Sequence, residues 1–241
     1  FCVKIFPVRT TDAFLRALPL GLAVLSLGSP AAAPSVLRPA ETDRAIHVLL
    51  VTIDTLRADR LGAYGYDRIE TPNIDGLARR GTLFGRAFSP VPLTLPAHAS
   101  IMTGTYPHVA GVRNNGRRLP KGRPVLAEIL KARGYRTGAF VGAFPLDSRF
   151  GIDRGFDLYD DRYGSRNASR DLTFVERPAD EVNAAALAWI GEKSGLPFFA
   201  WVHYFDPHAP YEPPPPYASA YRGREYDGEI AYADAALGRL L

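Results

Sequence analysis

Thr94, Asp54 and His98 occupy positions where a chain can do ester chemistry. Thr94, in Thr94-Leu95-Pro96-Ala97-His98, follows an apolar run and opens a helical pattern. A hydroxyl there meets the free backbone N–H groups of a helix N-terminus, which favour an anion. A threonine hydroxyl is a poor nucleophile until a bound cation lowers its pKa. Asp54 ends the run His47-Val48-Leu49-Leu50-Val51-Thr52-Ile53. A carboxylate at the tip of a buried strand suits a hard cation or zinc. His98 lies one helical turn beyond Thr94 and projects from the same face. Each has a structural alternative: Thr94 as a plain helix cap, Asp54 as a turn cap, His98 as a hydrogen-bonding group within the fold.

Several elements must hold these groups. The β-branched and apolar run over 47–53 predicts a buried central strand. Thr71-Pro72-Asn73 opens a short helix that Gly81 stops, and 82–88 is a second strand candidate. The spacing predicts helices over 95–103, closed by Gly104, and over 124–134. A strand follows over 135–141, then a helix over 178–193 with Leu187, Ile190 and alanines on one face. Phe198 to Tyr204 reads as a buried strand, and 226–241 as a helix. Alternating strands and helices imply an α/β fold: a mostly parallel sheet flanked by helices on both faces. Ligands in such folds gather at the carboxyl ends of strands, where Asp54, Thr94 and the segment after Tyr204 all fall.

The segment Ser89-Pro90-Val91-Pro92-Leu93-Thr94-Leu95-Pro96-Ala97-His98-Ala99-Ser100-Ile101-Met102-Thr103-Gly104 resembles the nucleophile segment of the sulfatase/alkaline-phosphatase superfamily. Sulfatases carry Cys or Ser, then x-Pro-x-Arg, and oxidise the first residue to formylglycine. Here Thr94 stands first and His98 replaces the Arg, which removes a bidentate anion clamp. The resemblance implies Asp54 and Thr94 as metal ligands and Thr94 as nucleophile. It also implies a divalent cation (Ca, Mn or Zn) as cofactor. Thr55 stands where many sulfatases have a second Asp. Asn115, in Asn114-Asn115-Gly116, resembles the Asn that contacts a phosphoryl oxygen in Thr-nucleophile branches, though Asn-Gly is also a turn dipeptide. His208-Ala209-Pro210-Tyr211 resembles a family segment whose His faces the leaving group and can act as general acid. His203, inside the strand, is read as a packed residue and given no role. The cationic Lys-Trp-His-type signature is absent from 138–147. Gly155-Phe156-Asp157 and Asp160-Asp161 read as structural. The resemblance implies that residues 45–241 are the N-terminal part of a catalytic domain. Its further metal pair, Asp-His or Asp-Asn, is expected beyond Leu241.

Composition narrows the partners. The net charge is +4, and two positive charges remain once Lys4, Arg9, Arg16 and Asp12 are set aside. That is too little to argue for nucleic acid. Residues 1–33 read as an export signal with a basic start, an apolar stretch over 17–27 and Ala31-Ala32-Ala33 for cleavage. Residues 34–44 read as a linker. The expectation is a periplasmic or extracellular protein without a stable membrane span. An N-terminal anchor is the alternative, although the apolar stretch is shorter than the roughly 20 residues that cross a bilayer. The single cysteine, Cys2, lies in that signal, so the remainder offers no thiol for formylglycine or metal. The expected substrate is a small anionic ester, most simply a phosphoester cleaved through Thr94. The alternatives are a sulfuric ester hydrolase, a transferase of phosphoryl headgroups in the envelope, and an inactive fragment or binding protein.

Overall fold

The computed structural model describes residues 2–8, 46–163 and 177–241. Among these residues five strands form one sheet in the order β1-β2-β5-β3-β4. They are β1 (Cys2–Val8), β2 (His47–Ile53), β3 (Arg136–Val141), β4 (Leu158–Asp160) and β5 (Phe198–Tyr204). β2, β5, β3 and β4 pair in parallel, and β1 pairs antiparallel with β2 at the edge. The expected α/β sheet is therefore present, with one antiparallel edge strand drawn from within the expected export signal. The apolar stretch 17–27 and the linker lie outside the described residues.

Among the described residues seven α-helices flank the sheet: α1 (Pro72–Arg80), α2 (Thr94–Thr103), α3 (Pro107–Ala110), α4 (Leu126–Lys131), α5 (Ala179–Ile190), α6 (Tyr217–Ala220) and α7 (Glu225–Leu240). Alternate strand residues serve opposite faces. Leu49, Val51 and Ile53 of β2 join Ala200, Val202 and Tyr204 of β5 against α1, α5 and α7. Leu50 joins Ala139, Val141, Phe199 and Trp201 against α2, α3 and α4. Two apolar layers leave no wet side, which is why all seven residues of β5 are buried.

Three expectations change. Residues 82–88 form no strand, because a turn at Gly85-Arg86 divides the run and no described strand pairs with it. The chain is instead exposed from Gly81 to Pro90. Leu187 faces solvent, since α5 buries Ala179, Val182, Asn183, Ala186 and Trp189. β4, unforeseen, carries Asp160, whose carboxylate pairs with Arg162 and Arg177.

Candidate active site

β2 delivers its last backbone bond from the Asp54 N–H to the Tyr204 carbonyl (2.9 Å), so the strand ends of β2 and β5 are tied together. Asp54 follows immediately, 2% exposed. Its Oδ1 accepts the Thr55 N–H at 2.9 Å. Its Oδ2 accepts the Thr94 hydroxyl at 3.2 Å. Thr94 is the first residue of α2, and the cap position is Leu93. Its side chain therefore does not cap the helix; it reaches across to Asp54. The reading of Thr94 as a plain cap is corrected on that geometry.

The N–H of Leu95, which has no acceptor within the first turn, is taken by the side chain of Asn115, whose Oδ1 accepts it at 2.9 Å. This contact fixes the amide and leaves its NH2 as the donor available to a substrate oxygen. His98 is fully buried, and its Nδ1–H donates to the Thr94 carbonyl at 2.7 Å. Burial holds its pKa below the usual histidine range, opposed by the Asp54 charge and that carbonyl. His98 thus sits beneath Thr94 and does not line the cavity. His208 follows β5, half-buried and stacked on Phe205 with ring centroids 4.3 Å apart. Its Nδ1–H donates to the Ala209 carbonyl at 2.7 Å, which leaves Nε2 as the ring's free nitrogen face.

These groups converge. A cavity of about 800 Å³ is lined by Asp54, Thr94, Asn115 and His208 together. Arg57 lines it too, but its guanidinium is engaged by Asp59 through bonds of 2.9 and 2.6 Å. Arg113 is exposed and lies outside the lining. Of the sequence-predicted site residues, four share the cavity and His98 supports it from behind.

Residues that the sequence reading left without a role also matter. Thr55 has φ +46°, and its hydroxyl donates to the Pro207 carbonyl, fastening the end of β2 to the segment that carries His208. His203 is fully buried, with Nδ1 2.8 Å from Thr52 Oγ1 and Nε2 3.8 Å from Asp54 Oδ2. Burial pushes its pKa well below the usual range, reinforced by His98 and His208. The parallel pairing of Thr52 with His203 creates this contact, and no local motif could have announced it.

The donor set suits a hard divalent cation in part. Asp54 Oδ2 and Thr94 Oγ1 are oxygen donors 3.2 Å apart at the cavity wall. Among the described residues no third His, Cys, Asp or Glu gathers with two others into a metal-binding cluster. No helix among them is long and apolar enough to cross a membrane.

Comparison with known proteins bears on the family and the fold. The family model described as Sulfatase matches residues 46–241. The ulvan-active sulfatase of Formosa agariphila is 37% identical over 101 residues, covering 42% of this chain and 20% of that protein. The steryl-sulfatase of Mus musculus is 34% identical over 146 residues, covering 54% of this chain and 23% of that protein. The chain thus spans under a quarter of the length of these two relatives. The crystal structure of the phosphonate monoester hydrolase of Agrobacterium radiobacter superposes with a TM-score of 0.67 at 22% identity, covering 80% of this chain and 57% of that one.

Proposed function

Since the chain belongs to the sulfatase family, we propose that it serves metal-assisted hydrolysis of a small anionic ester, with the Thr94 hydroxyl as nucleophile and a phosphoester as the preferred substrate. The observation that carries this reading is the Thr94 hydroxyl bonded to the Asp54 carboxylate at the start of α2, in one cavity with Asn115 and His208. Asp54 and Thr94 would contribute ligands to a divalent cation, which when bound supplies Lewis acidity to the hydroxyl.

The remaining steps belong to the chain's own groups. Asp54 Oδ2, which accepts the hydrogen bond of the Thr94 hydroxyl, takes its proton as Oγ1 attacks. Thr94 Oγ1 attacks phosphorus and the bond to the ester oxygen breaks. The Asn115 amide and the N-terminal turn of α2 stabilise the charge on the non-bridging oxygens. The doubly protonated ring of His208, with a second proton on Nε2 besides the one that Nδ1 gives to the Ala209 carbonyl, passes that second proton to the departing oxygen. Water, losing a proton to the now neutral His208, then attacks phosphorus; the Thr94 Oγ1–P bond breaks and Oγ1 takes its proton back from Asp54. Phosphorus suits this route because no cysteine stands at 94 to become formylglycine, and no arginine at 98 grips a sulfate. A phosphonate monoester hydrolase among the fold's neighbours is consistent with it.

A second reading, hydrolysis of a sulfuric ester, is favoured by the names of the relatives at 34–37% identity. Turnover of 4-nitrophenyl phosphate and 4-nitrophenyl sulfate with added Mn²⁺ decides between them. We expect the phosphate ester to be faster, Thr94→Ala to lower its turnover by at least about 10³-fold, and Thr94→Ser to keep a measurable fraction. Retained turnover in Thr94→Ala sinks the nucleophile; a faster sulfate reaction sinks the phosphoester preference.

A further inference from the structure

Behind the Asp54 carboxylate runs a buried chain of polar groups that the reaction sequence does not use. The parallel register of β2 and β5 sets Thr52 beside His203, and Trp201 lies two residues earlier on the same face of β5. All three side chains are fully buried. The Trp201 indole Nε1–H donates to Thr52 Oγ1 at 3.0 Å. An indole N–H has no acceptor function, so the Thr52 oxygen must be the acceptor in that bond. The proton of Thr52 is then left for its other partner, and that partner is His203 Nδ1 at 2.8 Å. No other acceptor for the Thr52 hydroxyl exists among the described residues. His203 Nδ1 therefore receives a hydrogen bond, and the ring carries its proton on Nε2.

That nitrogen is enclosed and has no hydrogen-bond partner among the described residues. Asp54 Oδ2 lies 3.8 Å from it. The same oxygen accepts the Thr94 hydroxyl. A buried donor without a partner persists in a fold only at a cost, and carboxylates that hold metals are regularly oriented by a donor behind them. His98 packs edge-on to His203, with ring centroids 4.8 Å apart, and limits how far the ring can turn.

We propose that His203 is a positioning residue: Trp201 and Thr52 fix it as the Nε2–H tautomer, and that N–H orients the Asp54 carboxylate for the cation and for the nucleophile. The inference rests on the reading of Asp54 as a cation ligand. It assigns work to three residues that touch neither substrate nor cation. It also explains why a strand interior otherwise filled with apolar side chains spends two positions on Thr52 and His203.

The test has two parts on the full chain. Nitrogen-15 spectra of histidine-labelled protein report the tautomer of His203 directly. Resonances are assigned by loss in His203→Gln. We expect Nδ1 as the unprotonated nitrogen in the wild type and a mixture of tautomers in Thr52→Val. Calorimetric titration with Mn²⁺ alone gives the second readout. Thr52→Val and His203→Leu should weaken Mn²⁺ binding about tenfold. His203→Gln, which restores an N–H near the same position, should recover to within about threefold of wild type. Circular dichroism confirms that each variant is folded; should His203→Leu fail to fold, Thr52→Val and His203→Gln still decide. A wild-type His203 protonated on Nδ1 overturns the proposal. So does Mn²⁺ binding unchanged in Thr52→Val, or absent from the wild type. The function reading fails differently, through turnover that survives Thr94→Ala.

Discussion

Thr55 shows how one residue can align two parts of a site. Its φ of +46° lies in the left-handed region, which β-branched residues avoid because Cβ crowds the backbone. Such strain persists where the surroundings over-determine it. Here the hydroxyl donates to the Pro207 carbonyl, one residue before His208, and the N–H donates to Asp54 Oδ1. Thr55→Val keeps the shape and removes the donor, leaving a part-buried carbonyl unpaired. We expect a loss of about 1–2 kcal/mol by urea denaturation, with kcat falling further than binding of a phosphate ester. A change below roughly 0.3 kcal/mol would count against the latch. At this scale the site was legible where residue type and position coincide: Asp54 at a strand tip and Thr94 at a helix start face one another at 3.2 Å. Thr55, Thr52 and His203 were not legible, because their roles depend on the alignment of β2 with β5 and on a backbone angle that no side-chain pattern encodes.

At the level of elements, the strands and helices whose residues are buried on both sides were the readable ones. β2 and β5 coincide with their apolar runs, and α2 ends at Gly104, whose φ of +65° closes the helix. The segment 82–88 misled because Leu83, Phe84 and Phe88 mimic a strand while Gly85 turns the chain. The connection after β5 is anchored differently. Asp206 accepts the Ala179 N–H at the start of α5 at 3.1 Å, and burial raises its pKa to about 6. The unfolded chain titrates this group near 3.8, so between about 4 and 6 the native state holds a proton that the unfolded state has lost. Its contribution to stability is full below that window and fades as pH rises through it. Asp206→Asn removes the titration. Relative to wild type, the variant should gain on the order of 2 kcal/mol between pH 4 and pH 7 in urea-denaturation midpoints. A pH-independent difference between the two proteins would contradict a half-buried, proton-holding Asp206.

For the whole molecule, the question is whether the two apolar layers act as one. Leu49 and Leu50 are neighbours in β2, yet Leu49 packs with α1, α5 and α7 and Leu50 with α2, α3 and α4. The layers pack on opposite faces of the sheet, which also carries Asp54 and His208 beyond its carboxyl edge. The resemblance that reaches from residue 46 to 241 spans both layers. A sheet covered on both faces cannot lose one cover and keep its strands dry, so unfolding of either layer exposes the strands that hold the other. Leu49→Ala and Leu50→Ala remove the same atoms from opposite faces. Each should cost about 2–4 kcal/mol, through lost burial and the cavity left behind. More tellingly, each should shift one and the same cooperative transition, detected alike by tryptophan fluorescence and far-ultraviolet circular dichroism. Trp189 and Trp201 report on different layers, so a variant in which fluorescence and dichroism melt apart would show that the layers fold separately. In that case an intact β2 could no longer be taken to hold Asp54 against Thr94 whenever either layer is folded.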